Sequence, residues 1–396
     1  MKIQNVKKEW KKCEPEYAVL TVILLLFLVV GAAWIVFAPK EDFSEDENRA
    51  LEPTPKLSAE SLLDGSFMDS VESYIGDHFP LRKQFISLYN ATQYGMGKRD
   101  VGGNYSSTPA EGGVYFGRDG HLYEVLLPDR TGIFEENAQA LVNFAKAVDV
   151  PVYILPAPSG SQEQPEKLPL FAPNHSQREE LQRLRDLAGD EAVVVDTFDA
   201  LSSINGDYYY KTDHHWNTFG AYAAYQVLCS EMGLTATPID SYDFRTVTQP
   251  FYGTLYSKAV SWFQQPDRMY LPELKQPQQI TQYVNGTEPR EGIYWEEYLD
   301  QKDKYSVYLG GNRGVDVVKN ADVTNGRKLL ILKDSYANSM IPYLSTNFSE
   351  IHLIDLRYYN FNVYDYMEEQ GITDAAAIYS VKQLCDVSIA NKLIVR

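Results

Sequence analysis

Two short stretches, more than a hundred residues apart, hold the residue types that nucleophilic chemistry needs. One reads Tyr209-Tyr210-Lys211-Thr212-Asp213-His214-His215-Trp216-Asn217, the other Leu329-Leu330-Ile331-Leu332-Lys333-Asp334-Ser335-Tyr336. A serine hydroxyl is a weak nucleophile at neutral pH. It needs a base in hydrogen-bond reach, and the base needs a third group to hold its tautomer. Asp213 and His215 are two residues apart. In an extended or turn conformation that spacing sets the carboxylate beside the near ring nitrogen and leaves the far nitrogen to take a proton. Ser335 follows an apolar run and opens a predicted helix, so its own N–H and those after it face a developing oxyanion. The plainer reading is structural: Asp213 or Asn217 caps one helix, Asp334 or Ser335 caps another, and both histidines pack. Asp213 with two histidines also allows a metal reading, but no other motif at metal spacing accompanies the stretch. A site of this kind needs a second oxyanion donor. The candidates are Gly253, in Phe251-Tyr252-Gly253-Thr254-Leu255, and Asn312, in Leu309-Gly310-Gly311-Asn312, each in a Gly-containing turn.

Both stretches must be held by a common scaffold, and the pattern around them predicts one. Helices are expected over about 134–148, 176–188, 218–232 and 363–370. Short apolar strands are expected at Pro151–Leu155, Ala192–Val195, Lys328–Leu332, Ile351–Asp355 and Ala375–Tyr379. Alternation of this kind implies an α/β fold, a mainly parallel sheet between helical layers, with ligands beyond the carboxyl ends of the strands. Val114–Phe116 and His121–Tyr123 flank a turn and read as a hairpin. Residues 240–305 are Gln/Pro-rich and read as a strand-poor insertion over the site, with Trp262 and Trp295 as stacking groups or as core. Upstream, residues 58–98 read as helix in two pieces, broken at Asp77-His78-Phe79-Pro80.

Tyr17–Ala38 holds no charged residue and would reach roughly 33 Å as a helix, enough to cross a ~30 Å hydrocarbon core. Lysines crowd its N-terminal side and acidic residues follow its exit, so the expectation is a single-pass anchor in the cell membrane with a cytoplasmic N-terminus. The expected layout is a tail over 1–16, an anchor over 17–38, a spacer and helical entry region over 39–110, and the main domain over 111–396 with its insertion at about 240–305. The chain carries a net charge of −18, although its first 40 residues hold six lysines against three glutamates. The remainder is strongly acidic and repels phosphate backbones, which disfavours nucleic-acid binding. Three cysteines do not make a disulfide scaffold; Cys229 and Cys385 could pair if their Cβ atoms meet outside the cytoplasm. The 29 tyrosines suit half-buried core positions and wet, sugar-like ligands alike.

Thr212-Asp213-His214-His215-Trp216-Asn217 resembles the signature of the DHHW protein family. That family is related to the SGNH-hydrolase-like acetyltransferases that O-acetylate alginate and other extracellular polysaccharides. Glu47-Asn48-Arg49-Ala50-Leu51 and Asp77-His78-Phe79-Pro80-Leu81-Arg82 resemble its entry region, Val114–Gly120 its first hairpin, and Lys333-Asp334-Ser335-Tyr336 its nucleophile block. The resemblance implies an SGNH-like sandwich with Asp213 as orienter, His215 as base and Ser335 as nucleophile. It further implies acyl transfer, of an acetyl or similar short group, onto a cell-surface or secreted polysaccharide. On this reading no metal or organic cofactor is required, and the resemblance implies a multi-pass membrane O-acyltransferase as the supplier of the acyl group. Three departures from the wider SGNH pattern stand out: Lys333 takes the place of the glycine before Asp-Ser, the acid and base precede the serine, and they are spaced Asp-x-His. The last two are features of the alginate-acetyltransferase branch. Two other readings stay open: an esterase using the same three residues with water, and a catalytically silent glycan-binding subunit of an export complex.

Overall fold

The computed structural model describes residues 15–394 except 38, 45–46, 48, 103–112, 130, 205 and 249. The lysine-rich tail up to residue 14, with Cys13, lies outside the described residues, as do Glu45, Asp46, Asn48 and Gly103. The chain divides into two compact units, Met1–Thr92 and Gln93–Arg396.

The first unit begins with one helix, Pro15–Phe37, whose 21-residue stretch Pro15–Ile35 is long and apolar enough to cross a membrane. Helices Ala59–Leu63, Ser66–Asp77 and Arg82–Gly95 follow, with the break at His78–Leu81 where Pro80 forbids a continuous helix. The two entry motifs read in the sequence meet here. Arg49 donates to the Asp77 carboxylate (2.9 Å) and Arg82 to Glu47 (2.7 Å). The Arg49 guanidinium holds Asp77 down at about 2.

The second unit is built on an eight-stranded sheet. Its strands are β1 (Val152–Ala157), β2 (Val193–Val194), β3 (Ile280–Val284), β4 (Glu288–Glu291), β5 (Val315–Asn320), β6 (Lys328–Lys333), β7 (Glu350–Ile354) and β8 (Asp374–Ser380). Their order is β4-β3-β5-β7-β6-β8-β1-β2. The five strands from β7 to β2 run parallel, and β4, β3 and β5 extend that edge antiparallel. Strand alternation sends Leu329 and Ile331 to one face and Leu330 and Leu332 to the other. The first face packs on helix Thr218–Glu231 through Ala224 and Leu228, and on Trp216 just before that helix. The second packs on Ile133–Ala147 and Val363–Gln370 through Phe144, Val363 and Met367. Three layers result, with helices on both faces of the sheet.

Two expectations are corrected. Residues 240–305 are not strand-poor: Tyr242–Thr246 pairs with Tyr270–Leu274, and β3 and β4 widen the main sheet. Their sequences, such as Ile280-Thr281-Gln282-Tyr283-Val284, carry polar residues because an edge ribbon needs only one apolar face. Cys229 and Cys385 do not pair; both are free and buried. They belong to the cores on opposite faces of the sheet, which keeps their sulfurs apart.

Just past the carboxyl end of β1, helix Gly160–Glu163 buries the Glu163 side chain. Burial pushes its pKa up to about 8, only partly opposed by Arg178, while Asp199 and Asp196 add to the rise. In the unfolded chain the carboxyl ionises near the ordinary glutamate value of 4.5. The folded state therefore keeps a proton that the unfolded state loses, and stability falls as pH rises from that value towards 8. Glu163→Gln should leave stability unchanged at pH 4 and raise it by on the order of 2–3 kcal/mol at pH 7 and above. Urea titrations at the two pH values check this; an equal effect at both would contradict a buried, protonated Glu163.

Candidate active site

Ser335 stands at the first turn after β6, beyond the carboxyl end of a central strand. The turn is a 3-10 helix, Ser335–Met340, and becomes α-helical at Ile341–Leu344. Asp334 caps it, its carboxylate accepting the Tyr336 N–H (2.9 Å). The other oxygen accepts the Ser380 N–H (2.7 Å) and hydroxyl (2.8 Å) at the end of β8. Asp334 is thus the structural member of its motif, fixing the turn that presents the serine. Ser335 is part-exposed at the end of a buried strand.

The stretch Tyr209–Asn217 closes on itself through a bridge between Tyr209 and Trp216. Asn217 caps the following helix, accepting from Phe219 N (2.9 Å) and Gly220 N (3.2 Å). Gly220 is required there by a close approach: a Cβ would lie 2.4 Å from the Tyr208 carbonyl oxygen. Trp216 Nε1 donates to the Tyr336 carbonyl and to Ser339 Oγ, both at 3.1 Å. The Tyr336 hydroxyl donates back to the His214 carbonyl. These bonds tie the two distant stretches together.

Between them the three predicted residues are in contact. His215 Nδ1 lies 2.6 Å from Asp213 Oδ1, and His215 Nε2 lies 2.7 Å from Ser335 Oγ. Asp213 and His215 are 3% and 4% exposed. Burial alone would raise the Asp213 pKa, but the two neighbouring histidines and their hydrogen bonds reverse this and hold it well below the usual range. An ionised Asp213 only accepts, so Nδ1–H donates to it, and the bare Nε2 accepts from the Ser335 hydroxyl. Asp213 is held further by the His215 N–H (3.0 Å), the Thr254 N–H (2.8 Å) and the Thr254 hydroxyl (3.2 Å).

His214 takes a different place. Its Nδ1 is 2.6 Å from Thr254 Oγ1, and burial pushes its pKa down, with the neighbouring His215 imidazole adding to the fall. It steadies the Thr254 hydroxyl and does not reach the serine's hydrogen bond. Replacing His214 by alanine should lower activity no more than about tenfold, the size of one lost hydrogen bond. Parallel rate measurements on His214→Ala and His215→Ala check the assignment, and a larger loss in the former would reverse it.

Asp213, His214 and His215 do offer ligand atoms within 4.8 Å of one another. The 2.6 Å separation of Asp213 Oδ1 and His215 Nδ1 is hydrogen-bond length. Two ligands each about 2.0–2.1 Å from a tetrahedral zinc stand roughly 3.3 Å apart, so this arrangement does not fit a metal centre.

Several contributors carried no sequence signal. The ring of Tyr305 stacks on His215, centroids 3.8 Å apart and planes within 5°. Its hydroxyl lies 3.0 Å from the Ser335 carbonyl oxygen and 3.1 Å from Ser339 Oγ. Asp267 accepts from Lys211 N (2.7 Å), Thr212 N (2.8 Å) and Thr212 Oγ1 (2.6 Å). Burial lifts its pKa to about 6 against those bonds. Tyr305, Asp267 and Thr254 all come from or adjoin the insertion, which therefore braces the acid and base.

Of the oxyanion candidates, Gly253 is corrected. Its N–H donates to Thr212 Oγ1 (3.1 Å) and is not free for a substrate. The residue must be glycine for another reason: a Cβ would lie 2.2 Å from Asp213 Oδ2 and 2.3 Å from Asp213 Cβ. Asn312 has its Oδ1 facing Lys333 Nζ (2.7 Å) and Asn338 Nδ2 (3.2 Å). The Ser335 N–H finds no protein acceptor among the described residues. Trp262 is 62% exposed, whereas the Trp295 ring is flanked by Arg290 and Arg313 and its Nε1 donates to Gln282 (2.9 Å). Trp295 is a packing residue.

The class of fold is SGNH-hydrolase-like: a three-layer α/β sandwich with the serine at the carboxyl end of a central strand. It is preceded by one N-terminal apolar helix. The DHHW resemblance is borne out, since the model of the DHHW protein family matches residues 194–354, which contain both stretches. Among solved structures, a DHHW family protein from Eubacterium siraeum is 25% identical with a TM-score of 0.63, covering 75% of this chain and 100% of that one. PatB1 of Bacillus cereus is 21% identical with a TM-score of 0.59, covering 68% of this chain and 97% of its own. PatB1 with a sulfonyl adduct is 23% identical with a TM-score of 0.58, covering 68% and 96%. No curated protein matches the chain.

Proposed function

We propose that this chain is a membrane-anchored serine O-acyltransferase that places an acetyl or similar short acyl group on a cell-surface or secreted polysaccharide. The observation that carries the reading is the continuous hydrogen-bonded line Asp213–His215–Ser335, at 2.6 and 2.7 Å. Ser335 Oγ attacks the acyl carbonyl carbon as its proton passes to His215 Nε2. Asp213 stabilises the imidazolium. The tetrahedral intermediate collapses, the bond to the leaving group breaks, and that group takes the proton from His215. In the second half a sugar hydroxyl gives its proton to His215 and attacks the acyl carbon, and Ser335 Oγ leaves and regains a proton. The Ser335 N–H at the start of its helix is one oxyanion donor; Asn312 is the proposed second.

The family resemblance supports the transfer and the polysaccharide. PatB1, captured with a sulfonyl adduct, makes sulfonyl reagents a reasonable probe here. In the proposed layout residues 1–16 are cytoplasmic, 17–38 cross the membrane, and the spacer and main domain lie outside. A multi-pass membrane O-acyltransferase passes the acyl group across.

The experiment uses the full chain in detergent with an activated acetyl ester and a panel of oligosaccharides. Acetate release and oligosaccharide mass are followed together. Mass gain on a sugar, lost in Ser335→Ala, is the expected result. Serine-dependent acetate release with no sugar product across the panel would favour an esterase. Ser335 is part-exposed to water, so hydrolysis is the competing fate. Glycan binding without serine-dependent turnover would favour a binding subunit.

A further inference from the structure

The residue that departs from the SGNH pattern at the nucleophile is Lys333, the last residue of β6. It is 2% exposed. Among the described residues no carboxylate lies within 4.0 Å of its amine. Its partners are two neutral carbonyl oxygens, Asn312 Oδ1 and Asn338 Oδ1, each at 2.7 Å. The charged groups around it are engaged elsewhere. Asp316 on β5 holds Arg313 and Gln282. Asp355, past β7, holds Arg357. Asp334 holds Ser380 and Tyr336. A buried ammonium without a carboxylate partner is costly, so a compensating role is expected at this position.

Geometry locates that role beside the nucleophile. In a 3-10 helix side chains at i and i+3 eclipse, so Asn338 stands on the same edge as Ser335. Asn312 accepts from Asn338 Nδ2 as well as from Lys333. A lysine ammonium only donates, so the Asn312 oxygen must face it, and the Asn312 amide N–H groups are turned away from it.

We infer that Lys333 is a positioning residue: it fixes the orientation of the Asn312 carboxamide so that its N–H₂ serves the oxyanion, and it places a buried positive charge behind that donor. This rests on the acyl-transfer reading of the same site. Burial pushes the Lys333 amine down to about 8, against the pull of Asp355, Asp334 and Asp316 and with Arg357 adding to the fall. Deprotonated, the amine still donates hydrogen bonds but no longer carries charge, so oxyanion stabilisation weakens above that pH.

The test is a double-mutant cycle on the full chain, with kcat and KM for an activated acetyl ester measured across pH. Asn312→Ala should lower kcat about 10²-fold, as loss of one oxyanion donor does. Lys333→Met should lower it by a similar factor, with KM little changed. The double variant should be no slower than the slower single one, because both remove the same interaction. The decline of wild-type rate near pH 8 should be absent from Lys333→Met. Lys333→Gln keeps a hydrogen-bond donor without charge; if the methionine variant does not fold, it carries the pH arm of the test, the alkaline decline being absent from it as well. Losses that multiply in the double variant, or an alkaline decline that survives removal of the amine, would overturn the inference. Ser335→Ala is run alongside: turnover persisting there rejects the nucleophile assignment, whereas a dead Ser335→Ala with unaffected Lys333 variants rejects only the role of Lys333.

Discussion

Alanine at Ser335 or at His215 is expected to lower acyl turnover by about 10⁶-fold, the loss found when either member of a serine triad is removed. The two losses should not multiply in the double variant, because the serine hydroxyl and the imidazole act as one unit. The 2.7 Å contact between His215 Nε2 and Ser335 Oγ is what makes them one. Neither change should unfold the chain. Ser335 Oγ is part of no core contact, and the turn that carries it is held by Asp334, Trp216 and Tyr336. Single-turnover rates with thermal melts separate a chemical loss from a folding loss. Turnover near the wild-type level in either variant would exclude the mechanism.

Gly253→Ala is expected to cost nearly as much, although Gly253 touches no reacting atom. A methyl group there would overlap the Asp213 side chain at 2.2–2.3 Å, and either the carboxylate or the turn before helix Thr254–Lys258 must move. Moving the carboxylate breaks its hold on His215 Nδ1–H. Asp→Asn in a well-studied serine triad loses about 10⁴-fold through the wrong tautomer, and a displaced carboxylate should approach that figure. Asp213→Asn is the matching control. Full activity in Gly253→Ala would show that the insertion yields and does not brace Asp213. Rates for Gly253→Ala set beside those for Asp213→Asn distinguish the two outcomes: matching losses mean the carboxylate has moved, and a full-rate Gly253→Ala means the insertion has.

The scaffold was largely legible in the chain because helices and buried strands announce themselves by period. Helix 218–232 and strand 328–332, expected from apolar spacing, stand at Thr218–Glu231 and Lys328–Lys333. The residues of the central contact were legible for a different reason: acid and base are two residues apart and sit in one local turn. What was not legible depends on contacts between residues 30 to 120 positions apart. Thr254 reaches Asp213 across 41 positions and Tyr305 reaches Ser335 across 30, and neither leaves a mark in local composition. Gly253 was read as a donor because a turn glycine can present its N–H. Its actual constraint is steric, and sterics appear only when the neighbour is in place. Strands β3 and β4 were missed because edge ribbons tolerate polar residues on their open face. The cysteines were left open because the sheet that separates them had first to be assembled.

The central claim is that Ser335 becomes acylated, and the direct measurement is intact-protein mass spectrometry of the full chain in detergent after a brief incubation with an activated acetyl ester, followed by peptide mapping. A single acetyl adduct on the peptide containing Ser335, removed on adding an acceptor sugar or on longer incubation in the aqueous buffer and absent from His215→Ala, is the predicted result. Acetylation confined to surface lysines, or an adduct whose yield is unchanged in Ser335→Ala, would contradict the account.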